Sequence, residues 1–226
     1  MFIEFLNKSE FYEQYMENFS VRFTISNLEL EKGDTIKTNA SDAIQVHNNQ
    51  KAFCELINKN PERLTAQDII QVGDNINKNL GFFDKGFRKT QVMVNKATNF
   101  FPPKPNEIQT RIYYLLNSYY EIWKDLDIYE KEAKFHIEFV RMQPFEDGNK
   151  RTARVLTNFN LCSQNKAPII INESENDEYF SCIDNYDVKK LGELFRKKSK
   201  EELETMMELY KSIVGNDSFE IEVKHL

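Results

Sequence analysis

Apolar side chains recur along this chain every three or four residues, and that spacing constrains the fold more than any other feature. Phe11, Tyr15 and Phe19 fall four apart. Ile44, Phe53, Leu56 and Ile57 form a looser stripe, and Ile69, Ile70, Val72 and Ile76 a tighter one. Ile108, Ile112, Leu115, Leu116 and Tyr119 continue the pattern. Phe135, Phe139 and Met142 follow at i, i+4, i+7. Such spacing gives a helix one apolar face. Only 7 Gly and 6 Pro interrupt 226 residues, too few for a strand-and-turn-rich chain. The expectation is an all-α fold.

Helix boundaries can be read in places. Thr65 with Asp68 three residues later predicts a capping box. Gln143-Pro144 predicts a stop, because proline disfavours helical geometry in the residue before it. Val155, Leu156, Phe159 and Cys162 predict the next helix. Val188, Leu191, Leu194 and Phe195 predict a later one, and Leu203, Met206, Met207 and Tyr210 a last one. Residues 81–106 break the pattern. Gly81 and Gly86 punctuate them, 91–94 lean towards strand, and Pro102, Pro103 and Pro105 stiffen a turn, which predicts a small β-hairpin or extended flap. Residues 219–224 alternate strictly and predict a short edge strand.

Length favours a single domain over 1–226. Its motif-bearing core is expected at about 80–200, after a helical segment, 1–78, and before a C-terminal helix and tail, 200–226. A formal charge of −6 offers no excess of cations for phosphate backbones, which argues against nucleic acid as a partner. No apolar run approaches the roughly 20 residues of a membrane span. Met1 to Leu6 is short and acidic for a signal peptide, so the expected location is cytoplasmic. Cys54, Cys162 and Cys182 form no CxxC pair and read as reduced thiols. With three histidines, His47, His136 and His225, a His/Cys metal centre is not expected.

Chemistry concentrates in Gln143-Pro144-Phe145-Glu146-Asp147-Gly148-Asn149-Lys150-Arg151-Thr152-Ala153-Arg154. A helix ends, an acidic turn follows, and a second helix starts with cations in its first turns. A helix N-terminus has free N–H groups and partial positive charge, so it attracts anions. Gly148 permits close backbone approach. Arg151 and Arg154 share a helix face and can clamp phosphate oxygens. Asp147 stands where a carboxylate can hold Mg²⁺ against phosphates. The same residues also suit an ordinary capped surface turn.

The segment resembles the Fic/Doc family signature, H-P-F-x-[D/E]-G-N-G-R. His136-x-x-Phe139-Val140-x-Met142 is similar to the preceding family helix, and Thr152-Ala153-Arg154-Val155-Leu156 to the following one. Residues 87–92 with Phe101-Pro102-Pro103 look like the family's target-docking flap and proline turn. The resemblance implies a Fic-type helical bundle that uses Mg-ATP to move AMP onto a protein hydroxyl. It implies nucleotide contacts from Phe145, Gly148, Asn149, Lys150, Arg151 and Arg154. Tyr179-Phe180 is similar to the aromatic pair near adenine. Asp147 is implied as the Mg²⁺ ligand. Arg88, Thr90, Gln91 and Val92 are implied to dock a protein partner, and family habit implies a homo-oligomer.

Three departures matter. Gln143 stands at the family's catalytic histidine, and an amide is no general base. His136 packs structurally in the family and is not expected to replace it. Lys150 stands where many members have glycine, as in the phosphate-transferring Doc branch, or as a solvated lysine. The family's inhibitory glutamate pairs with the second motif arginine, and Glu29 with Arg154 is the expected pair, against an ordinary acidic helix end. Three functions stay open: an impaired adenylyltransferase, a nucleotide-binding pseudoenzyme or regulatory module, and a Doc-like phosphotransferase.

Overall fold

The computed structural model describes residues 10–32, 40–81, 85–94 and 99–214. Among them lie eight α-helices: α1 (Glu10–Lys32), α2 (Ala40–Lys59), α3 (Ala66–Asn77), α4 (Ile108–Asn117), α5 (Ile128–Met142), α6 (Asn149–Ser163), α7 (Asn176–Asn185) and α8 (Val188–Val214). A π-helical turn, Ser118–Ile122, extends α4. None of these helices is long and apolar enough to cross a membrane. The three cysteines carry free thiols.

Helix α5 is the central rod, packed against α4, α6, α7 and α8. Phe135, Ile137 and Phe139 are fully buried along it, each contributing about 1.5–3 kcal/mol by leaving water. The aromatic stripe of α1 stacks along itself and against Phe53 of α2, with Phe19–Phe23 and Phe19–Phe53 ring centroids both 5.6 Å apart. Helix α3 starts as expected: Asp68 N–H donates to the Thr65 hydroxyl, and Thr65 N–H donates back to the Asp68 carboxylate. Asn48 of α2 donates to the carbonyls of Ile76 and Lys78, fixing the end of α3. That end abuts the motif loop.

Two expectations are corrected. The two helices expected after residue 188 are one, α8, 27 residues long. Nothing between Phe195 and Leu203 breaks it. Ion pairs such as Lys197–Glu201 and Lys200–Glu204 span the expected gap at i, i+4, each worth a few tenths of a kcal/mol. Of the hairpin or extended flap expected within 81–106, the hairpin form is not seen: no strand occurs among the described residues, and 88–94 run without a ladder, bending at 89–90. Side chains take the carbonyls a ladder would use. Arg88 donates to the carbonyls of Thr90 and Pro103, and Gln91 to that of Pro102. The edge strand expected at 219–224 lies outside the described residues.

Helix α5 also buries a carboxylate. Glu132 accepts from the Tyr119 hydroxyl, from Asn160 Nδ2 at 3.0 Å and from Gln164 Nε2 at 3.2 Å. Burial pushes its carboxyl up to about 7, outweighing the opposite pull of those donors and of Lys131. An unfolded chain loses this proton near 4.5. Folding is therefore unaffected by Glu132 below that pH. Stability falls as pH rises from about 4.5 to about 7, by a total on the order of 3 kcal/mol. Denaturant titrations at pH 5, 6, 7 and 8 measure the decline, and Glu132→Gln should flatten it.

Candidate active site

The motif loop joins α5 to α6 and is held from three sides. Gln143 ends α5 in the left-handed region, φ 47°, which lets the chain turn ahead of Pro144. Its side chain is consumed locally. Nε2 donates to the Val140 carbonyl at 2.6 Å, and Oε1 accepts from Asn149 Nδ2 at 2.9 Å. Asn149 also bridges the backbone of Phe145, donating to its carbonyl and accepting from its N–H. Asn77 of α3 donates to the Asp147 carbonyl at 2.8 Å.

Gly148 precedes α6 with φ 74°. A Cβ there would sit 2.7 Å from Asn77 Oδ1 and 2.9 Å from Ile76 Cγ2. Glycine is thus required by both conformation and packing on α3.

Helix α6 has no side-chain N-cap and no acid in its first turn. Its cations oppose its dipole and call for anions. Arg151 donates to Asp147 Oδ2 and to Gln45 Oε1, each at 3.1 Å. Arg154, 3% exposed, donates to Asn27 Oδ1 and, at 3.2 Å, to Glu31 Oε1. Lys150 Nζ lies 3.7 Å from Glu31 Oε2 and 4.5 Å from the Phe180 ring centroid. Burial alone would raise the Glu31 carboxyl. The charges of Arg154, Lys150 and Arg151 overcome that and hold it below its ordinary value. Even so, Arg151 Nε and Arg154 Nη1 are buried without a partner. Unpaired buried guanidinium N–H groups are costly, and phosphate oxygens would satisfy them.

The carboxylate on Arg154 is therefore Glu31, and the expected Glu29 pairing is corrected. Two residues turn a helix by about 200°, so Glu29 faces the groove between α1 and α8 with Arg22 and Glu202. Asn27, four residues before Glu31, shares its face. Asn27, Glu31, Gln45 and Asn77 are site residues that sequence reasoning missed. Only the i, i+4 spacing of Asn27 and Glu31 on an arginine-facing helix signalled any of them.

Other expected residues divide. Asp147, its side chain 55% exposed, stands open beside Arg151. No group of three or more His, Cys, Asp or Glu able to hold a metal occurs among the described residues. One carboxylate plus phosphates is a donor set that fits Mg²⁺ but no all-protein cage. Phe145 is buried in the core instead of lining the cradle. Its ring fills the space over Gly73, where a Cβ would meet it at 2.3 Å. Tyr179 is also fully buried, its hydroxyl 2.7 Å from His136 Nε2. Phe180 remains half-buried beneath Lys150.

His136 bonds Thr157 through Nδ1 at 3.0 Å. Burial, with Arg154 nearby, pushes it down to about 3. It stays neutral with both nitrogens engaged and is no base for the cradle. Arg88 is 2% exposed and faces inward, while Thr90 and Gln91 lie on the surface and Val92 is half-buried.

A helical bundle with a helix-terminal cradle of two buried arginines, an open aspartate and an internal carboxylate has the charge and geometry that suit an anion. Residues 63–161 match the Fic/DOC family model. The protein adenylyltransferase fic-1 of Caenorhabditis elegans is 30% identical over 142 residues, covering 62% of this chain and 27% of that protein. A probable protein adenylyltransferase of Aquifex aeolicus is 28% identical over 163 residues, covering 65% and 49%. The chain spans about a quarter to a half of these relatives' lengths.

Among solved structures, a Fic domain containing signaling protein from Bacteroides thetaiotaomicron shares the fold. Its TM-score is 0.75 at 17% identity, over 90% of this chain and 92% of that one. IbpAFic2, covalently tethered to Cdc42, aligns with a TM-score of 0.55 at 14% identity, over 88% and 68%.

Proposed function

We propose that this chain is a Fic-type protein adenylyltransferase that takes AMP from Mg-ATP to a protein hydroxyl, slowed by Gln143. The observation that carries the reading is the pair of unpaired, buried guanidinium N–H groups of Arg151 and Arg154 beside the open Asp147. In this reading Arg151 and Arg154 bind phosphate oxygens and Asp147 holds Mg²⁺ against them. A bound Mg²⁺ would stabilise charge developing on the phosphates. Gly148 and Asn149 keep the loop in shape, and Lys150 and Phe180 border the site. The attacking hydroxyl comes from a partner protein resting on Thr90, Gln91 and Val92, and the domain works in the cytoplasm.

The experiment uses ATP labelled separately at the α- and γ-phosphate, with Mg²⁺ and a cell lysate. α-Label on protein is expected from the native chain, weakly. Asp147→Ala should abolish it while leaving ATP binding in place. γ-Label alone would transfer the proposal to phosphotransfer, the reading Lys150 favours.

A second reading, a nucleotide-binding pseudoenzyme, is supported by the Gln143 amide, both ends of which are already bonded within the loop. ATP binding with no label from the native chain would favour it.

Glu31 occupies donors that phosphate needs. Its carboxylate is also the group in the cradle whose loss costs no phosphate ligand. Glu31→Gln is expected to tighten Mg-ATP binding about tenfold, measured by isothermal titration calorimetry, because a neutral amide holds two cations poorly.

A further inference from the structure

Lys150 leaves the first turn of α6 and reaches across to α1. Its side chain is 34% exposed and that of Glu31 is 25% exposed. Two cations from α6 therefore share one carboxylate, Arg154 on Oε1 and Lys150 on Oε2. The Phe180 ring lies 4.5 Å from the ammonium. An aromatic face at that distance attracts a cation and limits where it can wander. Arg154 is fixed independently by Asn27, so Lys150 is the partner that decides where the second carboxylate oxygen rests. The unpaired Arg154 Nη1 beside this contact marks the place as one that an incoming anion would also seek.

We infer that Lys150 is a positioning residue for Glu31: braced on Phe180, it holds the carboxylate across the anion site and sets how strongly ATP must compete to enter. The inference rests on the nucleotide site proposed above and adds its regulation. It assigns Lys150 to the guard, while Arg151 and Arg154 serve the phosphates. A mixed-exposure ion pair of this kind gives effects of a few fold, not orders of magnitude.

The test is Mg-ATP affinity by calorimetry on five forms of the 226-residue chain: native, Lys150→Met, Lys150→Arg, Glu31→Gln and the Lys150→Met/Glu31→Gln double variant. Lys150→Met is expected to tighten ATP binding about two- to fivefold in the native background. It should change nothing once Glu31 is glutamine, and Lys150→Arg should restore native affinity. Weaker ATP binding on Lys150→Met in both backgrounds would make Lys150 a direct phosphate ligand and overturn the inference. An unchanged affinity in both would overturn it as well, leaving a surface lysine. If none of the five forms binds ATP, the nucleotide site itself is refuted, and the guard with it.

Discussion

Replacing Gln143 with histidine raises AMP transfer by about 10²- to 10⁴-fold, the usual contribution of a positioned general base. The loop is built to accept the change. Arg88 Nε holds the backbone carbonyl of residue 143, and its N–H groups do not depend on the side chain there. Asn149 keeps both of its bonds to the Phe145 backbone. The substitution loses Asn149's bond to Oε1 and Nε2's bond to the Val140 carbonyl, about 1 kcal/mol each. Arg151, Arg154 and Asp147 are untouched. The comparison is initial rate with α-labelled ATP for Gln143→His, Gln143→Ala and the native chain. A histidine variant that binds ATP yet transfers no faster than the native protein would show that a missing base is not what limits this site. Equal gains in the alanine variant would point to relief of a blocked site.

Arg88→Ala is expected to cost about 3–5 kcal/mol of stability. The side chain is buried and ties three separate stretches together. It donates to the carbonyls of Gln143 at 2.6 Å, Thr90 at 2.8 Å and Pro103 at 2.6 Å. Its own N–H donates to the Pro144 carbonyl at 2.9 Å. Alanine removes five donors, leaves three carbonyls short of a partner and opens a cavity. For a chain of this length the melting temperature should fall by about 10 °C. Thermal denaturation followed by circular dichroism reads it directly. Thr90→Ala, which removes one surface bond to Glu146, should stay within about 0.5 kcal/mol of native. A melting point for Arg88→Ala within a degree or two of native would mean that the flap and the motif loop are not bolted together.

How far the sequence announced this molecule depends on where the information sits. The helices were legible because burial imposes a local period, and Thr65–Asp68 and Gln143–Pro144 wrote their boundaries into adjacent residues. The cations of α6 and Asp147 were legible for the same reason, since one helix start brings them together. Glu31 was not. Its partner lies 123 residues away, and Glu29 and Glu31 look alike until the rotation of α1 is known. Phe145 and Tyr179 were assigned to the nucleotide by their resemblance to family positions, which says nothing of how deeply each ring packs here. Their burial depends on Gly73 and His136, which come from other elements. Arg88 was assigned to partner docking with the rest of the flap, although arginine is also the side chain best able to satisfy several carbonyls at once. The flap misled for a related reason: β-leaning residues pair only when their carbonyls are free.

The Glu31 contact also has a quantitative consequence. Under the proposed competition with ATP, a competitor carried on the same chain acts at a fixed effective concentration that does not depend on how much protein is present. Dilution cannot wash it out, and expression level cannot titrate it. The ATP concentration at half-occupancy should therefore be a constant of the molecule, identical at nanomolar and micromolar protein.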